Sequence, residues 1–306
     1  MKSIFYFTKG LPIMLTAILC SCSSDKSSDN SKTTVSIDSL QLKKETKMTP
    51  SFKSGYAEIN DIKMYYEIYG QGNPIVLIHG GGSTIQSSFS KIIPLLAKQR
   101  QVIGVELQAH GRTGDRNKAL SFQQDADDVV ALLTFLKIAK ADILGFSNGG
   151  NTALQIAINH PQIVNKLILA STFYKREGLP MGFFDMMKKA TINDMPQSLK
   201  TAFLQVNDDT NALQTMFDKD KERMIEFKDW KDDDIRNIKA PTLIINGDHD
   251  VIQNSHTVAM ANLIEKSRLM ILPAEHGAYM GVLESPSPKG NMLEFCVDTF
   301  ENFLNN

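Results

Sequence analysis

The chain has 306 residues, of which 42% are hydrophobic, enough apolar material for one sizeable core or two smaller ones. Its 33 basic and 34 acidic residues give a formal net charge of -1. This balance excludes the concentrated positive surface that nucleic acids and acidic lipids bind, so we expect no nucleic-acid partner.

The first 21 residues have the pattern of a secretion signal. Two early lysines are followed by an apolar stretch, Leu11 to Leu19, that is too short to span a bilayer. The next residues, Leu19-Cys20-Ser21-Cys22, resemble a bacterial lipobox, in which a small residue precedes the cysteine. The resemblance implies that Cys22 becomes the lipidated first residue of the mature protein. An ordinary cleaved signal peptide and an uncleaved anchor are the alternatives.

The segment 22–52 is rich in Ser, Lys and Asp and has little to bury, which is typical of a flexible tether. We expect it to hold a folded domain, residues 53–306, in the cell envelope, either in the periplasm or at the outer-membrane surface. With Cys20 removed and Cys22 lipidated, Cys296 would have no disulfide partner. We therefore interpret Cys296 as a small buried hydrophobic residue.

In chain order, a hairpin is followed by strands that alternate with helices. The predicted elements are hairpin strands at 56–59 and 63–69, strand 74–78, helix 87–98, strand 102–106, helix 121–137, a strand ending at 145, a helix ending before 161, strand 166–170, strand 242–246, helix 254–265, strand 268–272 and helix 292–304. Ser121, followed by Gln124, predicts a capping box. The alternation predicts an α/β protein with a mostly parallel central sheet and helices on both faces.

The alternation stops between residues 173 and 238, where we find helical patterns and no convincing strand. We predict a helical cap inserted into the sheet domain. Its Met and Phe residues are typical of an apolar pocket for the acyl or alcohol part of a substrate. They are equally typical of residues that only pack the cap onto the core.

A strand, a tight turn and a helix are predicted around Gly145-Phe146-Ser147-Asn148-Gly149-Gly150. This order places Ser147 at the apex of the turn, where we expect a strained backbone. A side chain at 145 or 149 would collide across so sharp a turn. The following helix N-terminus would favour negative charge beside the serine. The Gly-x-Ser-x-Gly motif alone is weak, because a glycine-rich turn with an exposed serine has the same pattern.

A serine hydroxyl needs a base to act as a nucleophile at neutral pH. Among six histidines, His276 follows the last predicted strand, and parallel strand ends meet at one edge of the sheet. The base needs a carboxylate, and Asp250 in Gly247-Asp248-His249-Asp250 is our first choice, with Asp248 as the alternative. This stretch and His256 could also be a metal site, but ligands so close in sequence rarely converge, and we expect no metal.

Two backbone N–H groups would stabilise an oxyanion. One belongs to Asn148 at the helix N-terminus, and the other to Gly81 in His79-Gly80-Gly81-Gly82, where bare glycines allow close approach. The same glycines could form only a tight strand-to-helix turn. They do not complete a Gly-x-Gly-x-x-Gly pattern, so we expect no nucleotide cofactor.

Together these motifs, in the order Ser, Asp, His, resemble the α/β-hydrolase fold family. The resemblance covers about residue 55 to the C-terminus, and the strandless insertion is similar to the helical cap of many members. Two residues depart from the pattern. Glu106 stands where many members carry Asp, and Asn148 where many carry a bulkier or different residue.

The resemblance implies a serine hydrolase, and we predict a lipid-anchored enzyme of the carboxylesterase type that cleaves a small, apolar ester through an acyl-enzyme. Amide, lactone and C–C bond hydrolysis and perhydrolysis use related sites and remain alternatives. Two alternatives are not enzymes: a lipoprotein that binds a ligand without catalysis, and a scaffold protein at the cell surface. We predict no cofactor and no protein partner.

Overall fold

The structure, a computed structural model, describes residues 51–306. The predicted signal peptide, Cys22 and nearly all of the predicted tether lie outside the described residues, so lipidation and localisation stay predictions. Within the described range, no helix combines the length and the apolar character needed to cross a membrane.

The described residues form eight strands: β1 Phe52–Ile59, β2 Ile62–Tyr69, β3 Asn73–Ile78, β4 Arg100–Val105, β5 Ala141–Phe146, β6 Val164–Ala170, β7 Thr242–Gly247 and β8 Ser267–Leu272. They make one sheet in the order β1-β2-β4-β3-β5-β6-β7-β8. The pairs β1–β2 and β2–β4 are antiparallel, and all the others are parallel. The predicted mostly parallel sheet is therefore confirmed.

Ten α-helices in the same residues cover the sheet: α1 Ile85–Phe89, α2 Ile93–Leu96, α3 Phe122–Phe135, α4 Asn148–Asn159, α5 Phe183–Lys189, α6 Gln197–Leu204, α7 Thr210–Ile225, α8 Asp232–Arg236, α9 Asn254–Leu263 and α10 Met292–Asn305. Successive residues of a strand point to opposite faces. In β3, Val76 and Ile78 join an apolar cluster with α3, α4 and α9, whereas Ile75 and Leu77 join one with α1, α2 and α10. Helices thus cover both faces.

Two local predictions differ from the structure. The helix predicted at 87–98 is two short helices, α1 and α2, with Pro94 in the first turn of the second. Proline fits that position because it has no N–H to donate, and it cannot continue a preceding helix. The capping box of α3 is half formed. Ser121 Oγ accepts from the Gln124 N–H, but the Gln124 side chain donates to Asp128.

Between β6 and β7 the chain forms helices α5 to α8 and short 3-10 turns, with no strand. One apolar cluster of this segment includes Met195, Leu199 and Met216 and reaches Ala109 in the loop after β4. A second joins Met224 to Phe122 at the start of α3. Several of the methionines thus pack the insertion onto the core, which fixes α7 above the end of the sheet.

Candidate active site

Ser147 occupies a strained turn between β5 and α4. Its φ of 52° and ψ of -124° are unusual for a residue with a side chain. A Cβ on Gly145 would lie 2.3 Å from the Gly149 carbonyl oxygen, and one on Gly149 would lie 2.1 Å from that of Ile78. The turn therefore requires glycine at both positions, as the sequence predicted, and it holds the serine hydroxyl above the sheet edge.

The structure brings together the three side chains that the sequence singled out as nucleophile, base and acid. His276 Nε2 lies 3.1 Å from Ser147 Oγ, and His276 Nδ1 lies 2.7 Å from Asp250 Oδ1. The alternative acid, Asp248, is used elsewhere, because its Oδ1 accepts the backbone N–H of Ala274 at 2.9 Å. The continuous chain of hydrogen bonds can carry a proton from the hydroxyl to the imidazole.

Asp250 is held at both of its oxygens. Oδ1 also accepts the Ile252 N–H at 2.9 Å, and Oδ2 accepts the Ser171 hydroxyl at 2.6 Å. The Ser171 hydroxyl in turn contacts the Tyr279 hydroxyl at 2.8 Å. Burial opposes the charge on Asp250, but the hydrogen bond and charge of His276 outweigh it and lower the pKa of the carboxyl. The acid therefore stays ionised and oriented.

Ser171 and Tyr279 were not found from the sequence. Ser171 follows the end of β6 at the same sheet edge as the motifs, which is a signal that could have identified it. Its φ of 52° is another positive value for a residue with a side chain. Both residues are fully buried.

The two predicted oxyanion donors lie beside the serine. Asn148 is the first residue of α4, so its N–H has no acceptor within the helix. The Gly81 N–H likewise donates no hydrogen bond within the described residues. A Cβ on Gly81 would come 2.5 Å from Asn148 Nδ2, so glycine is required where the two segments meet. Both N–H groups are free for a substrate oxygen.

A carboxylate of α7, Asp220, connects the cap segment to the glycine loop. Its Oδ2 accepts the Gly82 N–H at 2.6 Å and lies 2.8 Å from His110 Nε2. Its Oδ1 is paired with Arg223, which also binds Asp125 at 2.6 Å. The helical insertion is thus hydrogen-bonded to the loop that carries one predicted oxyanion donor.

The surroundings of His110 favour its protonated form, because its two ring nitrogens face the Gln108 carbonyl oxygen at 2.9 Å and Asp220 Oδ2 at 2.8 Å. Burial would raise the pKa of Asp220, but His110 and Arg223 lower it well below its usual range. Burial would lower the pKa of His110, but the carboxylate of Asp220 outweighs it and raises that pKa. Sequence reasoning missed both residues, because nothing in the spacing relates position 220 to position 110.

A cavity of about 740 Å³ lies between the glycine loop and the cap segment. Gly81, Gly82 and Asn148 line it on the core side. The apolar residues that line it on the cap side are Met186, Met187, Ala190, Met195, Pro196, Leu199, Phe217 and Met224. The charged residues on that side are Asp185, Lys189, Asp194, Asp220 and Lys221. The cavity thus places an apolar surface next to the predicted oxyanion donors, one residue along the chain from Ser147.

The other predicted candidates have structural partners. His256 Nε2 accepts the Tyr174 N–H at 3.2 Å, and burial lowers its pKa to about 4. In the part of the chain that the structure describes, no group of three or more His, Cys, Asp or Glu is placed to hold a metal ion. Cys296 is buried, and burial raises the pKa of its thiol.

Glu106, which stands where many α/β hydrolases carry Asp, is buried. Its carboxylate accepts hydrogen bonds from the Arg112 backbone N–H at 2.6 Å and from Arg112 Nη1 at 2.7 Å. Burial raises the pKa of Glu106 to about 7, although Arg112 opposes the shift. This carboxylate supports the loop after β4 and does not reach Ser147 or His276 through any hydrogen bond within residues 51–306.

The sheet topology and the strained serine turn define a protein with the α/β-hydrolase fold. The sequence model of the family described as alpha/beta hydrolase fold matches residues 73–217, which include the glycine loop and Ser147. The chain therefore has the α/β-hydrolase fold, and the fold class predicted from its motifs is confirmed.

Several of its curated relatives are hydrolases that act on different substrates. Pyrrolizixenacetamide deacetylase of Xenorhabdus hominickii is 23% identical over 248 residues, which are 75% of this chain and 92% of that protein. The 2-hydroxymuconate semialdehyde hydrolase of Pseudomonas sp. (strain CF600) is 28% identical over 231 residues, 66% of this chain and 79% of that protein. These similarities support a hydrolase in general and no particular substrate.

A solved structure agrees on the fold. It is a serine hydrolase involved in carbazole degradation, which is 21% identical and superimposes with a TM-score of 0.68 over 83% of this chain and 99% of that one. At this identity the similarity supports the fold alone.

Proposed function

We propose that the protein is a serine hydrolase that cleaves carboxylic esters through an acyl-enzyme. The observation that carries the proposal is the chain of hydrogen bonds from Ser147 through His276 to Asp250, next to two unpaired backbone N–H groups. This arrangement contains the nucleophile, base, orienting acid and oxyanion donors that acyl transfer needs.

In the proposed reaction, Ser147 Oγ attacks the ester carbonyl carbon while His276 Nε2 takes the hydroxyl proton. The N–H groups of Gly81 and Asn148 donate to the oxyanion of the tetrahedral intermediate. Its collapse breaks the bond to the leaving oxygen, which receives the proton from His276. A water molecule then gives its proton to His276 and attacks the acyl-enzyme, and the acid leaves as Ser147 Oγ regains the proton.

The cavity favours a substrate with an apolar acyl or alcohol part, because most of its lining side chains are apolar. Esters are our first choice of substrate. The alkoxide that leaves from an ester is a better leaving group than the amine anion from an amide, so it depends less on protonation by the single general acid. The relatives named as a deacetylase and as a semialdehyde hydrolase make amide and C–C bond hydrolysis the second candidates.

The test is labelling by a fluorophosphonate probe together with turnover of short chromogenic esters. We expect Ser147→Ala to abolish labelling and to reduce turnover by about a thousandfold or more, since the residues of a triad act as a unit. Ser255→Ala is the matched control, because Ser255 is exposed on α9 and should leave both readouts unchanged. Normal ester turnover by Ser147→Ala would refute the proposal.

We also propose that the enzyme is lipid-anchored in the cell envelope through Cys22, as the lipobox-like sequence suggests. Cys22→Ala should lose incorporation of a labelled fatty acid and leave the membrane fraction, whereas the control Cys20→Ala should keep both. Undiminished incorporation by Cys22→Ala would reject the anchor and leave the proposed chemistry untouched.

A further inference from the structure

The side chain of Asn148 is an unpaired polar group inside the cavity. The residue is 8% exposed and lines the cavity, and its carboxamide makes no hydrogen bond to any residue that the structure describes. Neither polar atom of this carboxamide is sealed from solvent, so both face the open space of the cavity. The carboxamide is therefore available to a ligand, separately from the backbone N–H proposed as an oxyanion donor.

A hydrogen-bond acceptor lies close to this donor. The position that a Cβ of Gly81 would occupy is 2.5 Å from Asn148 Nδ2 and 3.2 Å from Asp220 Oδ2. Both side chains line the cavity, whose remaining surface near the glycine loop includes Met195 and Leu199. The cavity therefore has, beside the glycine loop, a polar corner with an N–H donor and a carboxylate acceptor, and this corner adjoins the predicted oxyanion donor. The other charged residues of the lining are Asp185, Lys189, Asp194 and Lys221.

The chemistry of this corner matches a hydroxyl group. A hydroxyl accepts one hydrogen bond and donates another, so it can accept from the Asn148 amide and donate to the Asp220 carboxylate. A carboxylate has about four acceptor positions; Gly82, His110 and Arg223 occupy three of them, and the remaining one is on Oδ1. A carboxylate at the same place would be repelled by Asp220, and a methylene would leave the amide unpaired. Sites that hydrogen-bond a substrate hydroxyl discriminate strongly against analogues that lack it.

We propose that Asn148 and Asp220 form a specificity pair that binds a hydroxyl group on the acyl part of the substrate, close to the carbonyl carbon. The inference rests on the proposed function, since it assumes that the acyl group enters this cavity. It narrows the substrate class from apolar esters to esters of hydroxy acids whose remaining carbon chain is apolar.

The test compares methyl butyrate with its α-hydroxy and β-hydroxy analogues, with acid release followed at constant pH. The wild type should prefer at least one hydroxylated ester by about tenfold or more in kcat/KM, the factor that corresponds to one hydrogen bond of about 1.4 kcal/mol. Asn148→Leu keeps the backbone N–H and removes the amide, so it should abolish the preference. The readout is the ratio of kcat/KM for each hydroxylated ester to kcat/KM for methyl butyrate, because a general loss of activity affects all three esters alike.

Asn148→Ala provides a second variant without the amide if Asn148→Leu does not fold. An equal fall for all three esters would show that the amide acts on the oxyanion or on the fold, and would overturn the inference. A wild type without preference would also overturn it while leaving the proposed hydrolase intact. Absence of both turnover and fluorophosphonate labelling would reject the proposed function and the inference with it.

Discussion

Ser171 donates a hydrogen bond of 2.6 Å to Asp250, and the two residues follow neighbouring strands, β6 and β7. The bond reaches Oδ2, whereas His276 binds Oδ1, so the carboxylate is fixed at both oxygens. Ser171 touches neither Ser147 nor the imidazole through a hydrogen bond in residues 51–306, and we regard it as a positioning residue that acts through Asp250.

We predict that Ser171→Ala lowers kcat by about tenfold or more, because a hydrogen bond to a charged group contributes about 1.5–3 kcal/mol. KM should change little, since Ser171 does not line the cavity. Without the Ser171 hydrogen bond, the negative charge of Asp250 is less well satisfied and stabilises a protonated His276 more strongly. The fall of kcat/KM on the acid side of its pH profile should therefore begin at a higher pH. The profile and the separate values of kcat and KM check this.

The control for this prediction is Tyr279→Phe, which removes only the outer hydroxyl of the chain and should have a smaller effect. An unaltered pH profile in Ser171→Ala, with kcat also unaltered, would contradict the positioning role.

The serine turn should tolerate no side chain at position 149. A Cβ there would lie 2.1 Å from the backbone oxygen of Ile78, and a backbone atom cannot move aside cheaply. We expect Gly149→Ala to lower the free energy of unfolding by about 3 kcal/mol or more. Gly114→Ala is the control, because the nearest atom is 4.0 Å from its Cβ position, and it should change stability by about 0.5 kcal/mol or less. Chemical denaturation of both variants measures the difference, and equal stability would contradict it.

The pair of His110 and Asp220 should make stability depend on pH. The folded-state pKa of His110 is raised above 6.5, so its stabilisation is complete below that pH and is lost as pH rises through the raised pKa. At the acid end, the lowered pKa of Asp220 keeps its contribution complete at pH values above 3.8. Because the charge of His110 is one cause of that lowering, part of the contribution is lost together with the proton of His110.

We therefore expect His110→Gln to lower Tm more at about pH 6 than at about pH 9, since only the protonated imidazole has a charge to lose. Differential scanning calorimetry at the two pH values checks this. His249→Gln is the control, because that side chain is 84% exposed. Equal Tm shifts at the two pH values, or a larger shift at pH 9, would contradict a charged imidazole in the folded protein.

Filling the cavity should shorten the acyl chains that the enzyme accepts. Leu199 lines the cavity, and its Cδ1 lies 3.9 Å from the Cβ position of Gly82. Leu199→Trp should reduce kcat/KM for long acyl chains by about fourfold for each methylene displaced, at about 0.8 kcal/mol per buried methylene, and affect acetyl esters least. A series of esters from acetate to octanoate measures it, with Phe135→Trp, a half-exposed site on α3, as the control. A uniform loss along the series would exclude the cavity as the acyl site.

The contact between Ser147, His276 and Asp250 could be predicted because each residue follows a strand of one parallel sheet. Such strands end at the same edge, so positions distant in sequence become neighbours once the strands are identified. The glycines at 145 and 149 could be predicted for the same local reason, since a strand, a turn and a helix meet there within a few residues.

The contact between Asp220 and Gly82 could not be predicted, because it depends on how a helical insertion packs above the sheet and has no fixed spacing. The contact between Ser171 and Asp250 lies between these cases. The position of Ser171 directly after β6 can be seen in the sequence, but Ser171 belongs to no recognisable motif that would indicate its bond to Asp250. The break between α1 and α2 was missed because the apolar pattern continues through Pro94 while the backbone cannot.

The hydrogen bond from the Gly82 N–H to Asp220 bears on how this enzyme can be engineered. A cap taken from a relative would place no carboxylate against the Gly82 N–H unless one of its helices carried an acidic residue at the position equivalent to 220. Chimeras should therefore exchange the cap together with positions 82 and 110, and libraries that diversify α7 should hold position 220 constant.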